Sequence, residues 1–215
     1  MQKFPIVVLI SGNGSNLQAL IDDAKISKKY QIKAVISSNP EALGLSRAKR
    51  ENIKTYCIDH RQFAQRTDFD RALLNAIKEN NPELIVLAGF MRKLGPEIVG
   101  HFANKMINIH PSLLPKFPGL NTHQKAIAAG ETEHGCSIHF VTTELDAGPI
   151  LAQARTATTP NAAELRQKVQ ELEHKLLPLV VRWFANRQVL LQKGIIYLDG
   201  QALPIQGFCA FLKKS

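Results

Sequence analysis

The chain has 215 residues, 45% of them hydrophobic and 21% charged, with a formal net charge of +9. That is the composition of a soluble globular protein; no apolar run approaches the roughly 18 residues of a membrane span, and Cys57, Cys136 and Cys209 are too scattered for a disulfide framework or a zinc knuckle, which argues for a reducing cytoplasm. The positive field suits anionic small molecules. No nucleic-acid partner is expected, because there is no dense Lys/Arg run with interleaved aromatics and no recognition motif.

Residues 5–10 form a continuous apolar run after Pro5 that reads as a buried parallel strand. It is too short for a signal-peptide core and no cleavage pattern follows. Next comes Ser11-Gly12-Asn13-Gly14-Ser15-Asn16, then a helix with Leu17, Leu20, Ile21 and Ala24 on one face. A glycine turn between a strand and a helix presents backbone N–H groups and the positive end of the helix dipole, which is an anion site. It is not a dinucleotide fingerprint: the third glycine would fall at Leu17, and Ser37-Ser38 stand where a ribose-binding acid is expected. Nor does the Gly-Lys-Ser/Thr of a Walker loop follow. With Ser15 and Asn16 as extra donors the turn suits a phosphate monoester; the plain alternative is a tight turn and nothing more.

Residues 32–37 read as a second strand, Asn39-Pro40 as a turn, 42–51 as a helix and 55–58 as a third strand. Phe69, Ala72, Leu73, Ala76 and Ile77 mark an amphipathic helix that ends before Asn81-Pro82. Residues 84–88 are a fourth buried strand, leading to Gly89-Phe90-Met91-Arg92. The fifth strand, 106–110, ends at Pro111, which cannot donate to a sheet ladder. Thr122 is placed to cap a helix over 123–129 closed by Gly130. Residues 136–142 and 150–157 read as an antiparallel strand pair around a polar loop, 143–149. Asn161 with Glu164 caps a long helix whose apolar face is Leu165, Val169, Leu172, Leu176, Val180 and Trp183, with a kink expected at Pro178. From Val189 on there are strand-like pieces and a loose basic end. The alternation predicts an α/β fold: a doubly wound, mostly parallel, Rossmann-like sheet with helices on both faces and an antiparallel region in the C-terminal half. With no repeat or linker, residues 1–215 read as one domain.

Side chains alternate along a strand, so Asn108 and His110 look the same way, about 7 Å apart, at the C-terminal lip where ligands of open α/β sheets bind. The glycine loop, the Asn108/His110 pair and the Asp146 loop all fall at such strand ends. An amide, an imidazole and a carboxylate together suit acyl-type transfer. Asn108 can donate to a developing oxyanion, and His110 can move a proton with Asp146 orienting it or raising its pKa. Taken alone, His110 also reads as a satisfied polar residue at a strand end, and Asp146 as turn chemistry before Gly148-Pro149. No serine or cysteine sits in a nucleophile elbow, which favours direct attack by a substrate amine. No metal site is expected: there is no H-E-x-x-H and no Cys pair, and His134, His139 and His174 are scattered.

The run Asn108-Ile109-His110-Pro111-Ser112-Leu113-Leu114-Pro115 resembles the signature of the folate-dependent formyltransferases. So do Ser11-Gly12-Asn13-Gly14-Ser15-Asn16-Leu17-Gln18, Leu87-Ala88-Gly89-Phe90-Met91-Arg92 and Glu144-Leu145-Asp146, and the likeness to the purine-pathway branch of that family spans nearly the whole chain. The resemblance implies transfer of the formyl group of 10-formyltetrahydrofolate to the amine of glycinamide ribonucleotide, with Asn108, His110 and Asp146 as the catalytic triad. It assigns Gly14, Ser15, Asn16, Leu17 and Gln18 to the ribonucleotide phosphate and Glu173 to the ribose. It assigns Arg66, Met91, Arg92, Lys93 and Leu94, with Asn108, to the folate. Spacing alone would put Glu173 on a solvated helix face and make Arg66 a surface charge before a helix. It also implies an N-terminal phosphate-binding half, 1–104, and a C-terminal half with the folate site, 105–215. The partners implied are the two small-molecule substrates, with no metal, no membrane and a monomer or weak homodimer.

Two positions depart from the family pattern: Ala147 stands where many relatives have Gly, and Asn121 where His is common. A formyltetrahydrofolate hydrolase would share the triad and use water as acceptor, but such relatives carry an added N-terminal domain, and here the first strand starts at residue 5. Relatives that act on tRNA carry an added C-terminal RNA-binding domain, for which 215 residues leave no room. A non-catalytic phosphosugar-binding module would use the glycine loop and leave Asn108, His110 and Asp146 without a purpose.

Overall fold

The computed structural model describes residues 3–210, so the basic end lies outside the described residues. The chain forms two compact units, Met1–Ile107 and Asn108–Ser215.

In the first unit β1 (Phe4–Ile10), α1 (Ser15–Ser27), β2 (Tyr30–Ser37), α2 (Leu43–Arg50), β3 (Lys54–Cys57), α3 (Arg66–Glu79), β4 (Leu84–Leu87) and α4 (Pro96–His101) follow one another. The strands run in the order β4-β1-β2-β3, all parallel. The apolar run of β1 is explained by this position: between two neighbours, Ile6, Val7, Val8, Leu9 and Ile10 are all 0% exposed. Each such side chain contributes roughly 1.5–3 kcal/mol of burial. Strand β2 begins two residues before the sequence reading because Tyr30 is fully buried, its hydroxyl donating to the Leu20 carbonyl at 2.8 Å. Arg66 is the first residue of α3 rather than a residue ahead of it. Helix α4 was not foreseen. It is six residues long with Pro96 in its first turn after Gly95, and a Gly-Pro pair reads as a turn as readily as a helix start.

Strand β5 (Met106–His110) opens in the first unit, where Ile85 N–H donates to the Lys105 carbonyl at 2.8 Å, and closes in the second. There it is followed by α5 (Thr122–Ala128), β6 (Glu133–Phe140), β7 (Ile150–Ala157), α6 (Ala162–Ala185), β8 (Val189–Gln192), β9 (Ile195–Leu198), β10 (Gln201–Ala202) and β11 (Phe208–Ala210). The order is β11-β7-β6-β5, with β6 and β7 antiparallel and β7 and β11 parallel; β8, β9 and β10 make a separate antiparallel sheet. Asn161 accepts from the backbone N–H groups of Ala163 and Glu164 and starts α6. That helix continues through the buried Pro178. Among the described residues no helix is long and apolar enough to cross a membrane.

Three local readings are corrected. Strand β6 starts at Glu133 and stops at Phe140, because pairing of Glu133 with Ala157 and of His134 with Thr156 outweighs their polarity. Thr122 is buried in the first turn of α5, and the cap is Asn121, left-handed at φ 60°. Asparagine visits that region more readily than most residues. On α6 the buried stripe runs through Glu173, while Leu172 is only half-buried. A strict apolar reading takes the leucine and misses the acid beside it.

Candidate active site

The site in the second unit is built on the end of β5. Asn108 is half-buried and His110 is 5% exposed. Both reach the carboxylate of Asp146, a residue with left-handed backbone at φ 51° in the loop between β6 and β7. Asp146 Oδ2 accepts from Gly119 N–H at 2.9 Å and lies 3.4 Å from His110 Nδ1. Its Oδ1 accepts from the Asn108 amide at 3.4 Å and lies 3.6 Å from His139 Nε2. The carboxylate is thereby shared by two loops and two strands.

The loop carrying Asp146 is sewn shut at its base. Phe140 N–H donates to the Pro149 carbonyl at 2.9 Å. A Cβ on Gly148 would come within 1.8 Å of the Phe140 carbonyl oxygen, so no side chain fits there. Ala147 needs no glycine, because the left-handed residue of this turn is Asp146 and not its neighbour.

His110 Nε2 donates to the Phe117 carbonyl at 3.0 Å. Its two nitrogens therefore face a carbonyl and a carboxylate, so an added proton on Nδ1 finds an acceptor at once. Burial pushes the pKa of His110 below the usual histidine value, against the Phe117 carbonyl and the Asp146 charge, which hold it up. For Asp146 burial acts against the charged form and is outweighed by the hydrogen bonds of His139 and Gly119 and the nearby imidazoles, so its pKa is lowered. At neutral pH the pair is a carboxylate beside a neutral imidazole that is ready to accept. In an NMR titration we expect His110 to titrate below 6.5. Asp146→Asn should move it lower still, since the change removes a charge that favours the imidazolium. A value above 6.5 in the unaltered protein would mean that the carboxylate outweighs burial.

His139 is the residue the sequence reading missed. It is 2% exposed on β6, its Nδ1 donates to the Phe140 carbonyl at 2.9 Å, and its Nε2 lies 3.1 Å from the Asn108 amide nitrogen. Its Nε2 thus stands between the Asn108 amide and the Asp146 carboxylate and helps fix where both lie. No motif marks it, and only the placing of β6 beside β5 brings it to the two candidate residues Asn108 and Asp146. His134, also on β6, hydrogen-bonds the Pro111 carbonyl and meets His123 at 3.1 Å, and burial lowers its pKa to about 4. Among the described residues no group of three or more His, Cys, Asp or Glu is arranged to hold a metal. Glu173 is 8% exposed on α6, and its charge adds to the burial that pushes the Cys136 thiol well up.

In the first unit Gly14 caps α1 at φ 73°, and the helix ladder begins with Gln18 N–H donating to the Gly14 carbonyl at 2.9 Å. The N–H groups of Ser15, Asn16 and Leu17 precede that ladder, the arrangement that receives anions. In the same unit Arg66 donates to the Lys93 carbonyl, Arg92 meets the His60 ring, and Leu94 is buried while Met91 is 65% exposed. Met91 N–H donates to Ser11 Oγ at 2.9 Å, and Ser11 Oγ lies 2.8 Å from Ser38 Oγ. Arg66 and the segment from Met91 to Leu94 are thus brought together and tied to the start of the glycine loop.

The chain as a whole is similar to known proteins. A family model described as formyl transferase matches residues 4–181. The phosphoribosylglycinamide formyltransferase of Escherichia coli K12 is 48% identical over 208 residues, covering 95% of this chain and 98% of that protein. That of Haemophilus influenzae is 42% identical, covering 94% and 97%. The solved phosphoribosylglycinamide formyltransferase of Coxiella burnetii superposes with a TM-score of 0.94 at 50% identity, covering 97% of this chain and 99% of that one. With the family model matched over most of its length and the fold shared, the chain belongs to the formyl transferase family.

Proposed function

We infer that this chain transfers the formyl group of 10-formyltetrahydrofolate to the amine of 5′-phosphoribosylglycinamide, giving formylglycinamide ribonucleotide and tetrahydrofolate, a step in purine synthesis. The observation that carries the chemistry is the cluster in which Asn108, His110 and His139 surround the Asp146 carboxylate. The substrate amine attacks the formyl carbon directly. The new C–N bond forms, the carbonyl becomes a tetrahedral oxyanion, and the Asn108 amide donates to it, joined by His110 once that ring has taken the proton of the amine. On collapse the bond from the formyl carbon to the folate nitrogen breaks. His110 takes a proton from the amine, is held as imidazolium by Asp146, and returns the proton to the folate nitrogen.

Direct attack is supported by the state of the other nucleophiles. Cys136 is buried with its thiol pushed up, Cys57 is pushed up by burial and by Asp59, and Ser112 is 0% exposed with its hydroxyl donating to the Lys116 carbonyl. Gly14, Ser15, Asn16, Leu17 and Gln18 receive the phosphate and Glu173 the ribose. Arg66, Met91, Arg92, Lys93 and Leu94, with Asn108, hold the folate. A cytoplasmic location and a monomer or weak homodimer complete the reading on the strength of the family alone.

The test is formyl transfer by the purified protein, followed by folate absorbance. Folate product should appear only when the ribonucleotide is present. Release without it would make the chain a hydrolase, and ribonucleotide binding with no release at all would remove the triad from the chemistry.

A further inference from the structure

Helix α2 presses on the glycine turn of the first unit with no side chain between them. Gly44 N–H donates to the Gly12 carbonyl at 3.2 Å. A Cβ on Gly14 would lie 2.6 Å from Gly44 Cα, and one on Gly44 would lie 2.4 Å from Ile10 Cδ1. One turn further along α2, Arg47 spreads its guanidinium over the loop. Its Nε donates to the Asn13 carbonyl at 2.9 Å, its Nη2 to Asn13 Oδ1 at 3.0 Å and its Nη1 to Gln18 Oε1 at 3.3 Å. Asn13 stands just before the turn and Gln18 just after it. One planar cation therefore bridges the two ends of the segment that presents the N–H groups of Ser15, Asn16 and Leu17. Gln18 is braced in turn by donating to Asp22 at 2.9 Å.

A guanidinium fork is rigid and always charged, so it loses little freedom in making several hydrogen bonds at once. A loop held in its binding shape before the ligand arrives avoids the ordering cost of binding. We propose that Arg47 is a positioning residue for the ribonucleotide phosphate, tying Asn13 to Gln18 so that the turn between them keeps its anion-binding shape. The inference rests on the reading of Gly14–Gln18 as the phosphate site. Arg47 acts through the loop's own groups, and its effect falls on binding of the ribonucleotide rather than on formyl transfer.

The experiment is steady-state kinetics of Arg47→Met, Arg47→Lys and Asn13→Ala, with inorganic phosphate as a competing ligand. Arg47→Met should raise the KM for the ribonucleotide about tenfold, the size of one lost charge-assisted tie, and weaken inhibition by phosphate in step. Its kcat and its KM for the folate should stay within about twofold. Arg47→Lys should resemble Arg47→Met, because an ammonium keeps the charge and cannot span Asn13 and Gln18. The exposed Asn13→Ala, which removes one anchor and leaves α2 intact, should raise the same KM by less. A wild-type KM in Arg47→Lys would reduce the role to simple charge and overturn the proposal, as would a loss confined to kcat. If phosphate fails to compete with the ribonucleotide in the unaltered protein, the loop is not the phosphate site and the inference falls with that reading. If phosphate competes and the variants leave KM unchanged, the site stands and the role of Arg47 does not.

Discussion

Replacing His110 with alanine lowers kcat by about 10²-fold or more, the usual worth of a positioned proton-transfer group, and Asn108→Ala lowers it by a similar factor of roughly 10²–10³, the usual worth of an oxyanion donor. Both losses follow from geometry. His110 has an acceptor on each side, the Phe117 carbonyl and the Asp146 carboxylate, so it can hold a proton between two transfers without leaving its place. Asn108 is turned by His139 on one side and Asp146 on the other, so its amide direction is set before substrate arrives. The measurement is single-turnover transfer with both substrates saturating, which separates chemistry from binding. His110→Ala with wild-type kcat would remove it from the reaction.

Asp146→Asn is the second large effect. The substitution keeps size and shape and removes the charge. It also places an NH₂ group where one oxygen now accepts, against the Gly119 N–H or the Asn108 amide, so a donor meets a donor. The imidazolium of His110 loses the negative charge beside its Nδ1. We expect kcat to fall by about 10²-fold or more, with the KM for the ribonucleotide changing far less. An effect confined to KM would make Asp146 a binding residue.

Where local chemistry is decisive, the structure was legible in the sequence. Pro111 ends β5 at His110, as the missing N–H requires. Strand β7 keeps its expected bounds, 150–157, and Asn161 caps α6 because its side-chain oxygen can reach two backbone N–H groups. The triad was legible because Asn108 and His110 share one face of a strand. That Asp146 meets them could be read only coarsely, from the place of both at strand C-termini, since no spacing rule joins residues on different loops. His139 was illegible for the same reason: its role depends on which strand lies beside β5. Glu173 was hidden differently. A buried carboxylate breaks the apolar stripe that a periodicity argument follows, and the half-buried Leu172 beside it filled the pattern instead.

The loop that bears Asp146 combines a fixed base with a free tip. Phe140 and Gly148 hold its two ends in a contact too close for any side chain, while Thr143, Glu144, Leu145 and Ala147 are exposed. Mutation can therefore explore the tip, where the surface is open, without moving the acid, which stays two residues from a fixed hinge. Selection on the tip and selection on the carboxylate are separable in this segment. A side chain at 147 costs this segment nothing, and one at 148 is what it cannot hold.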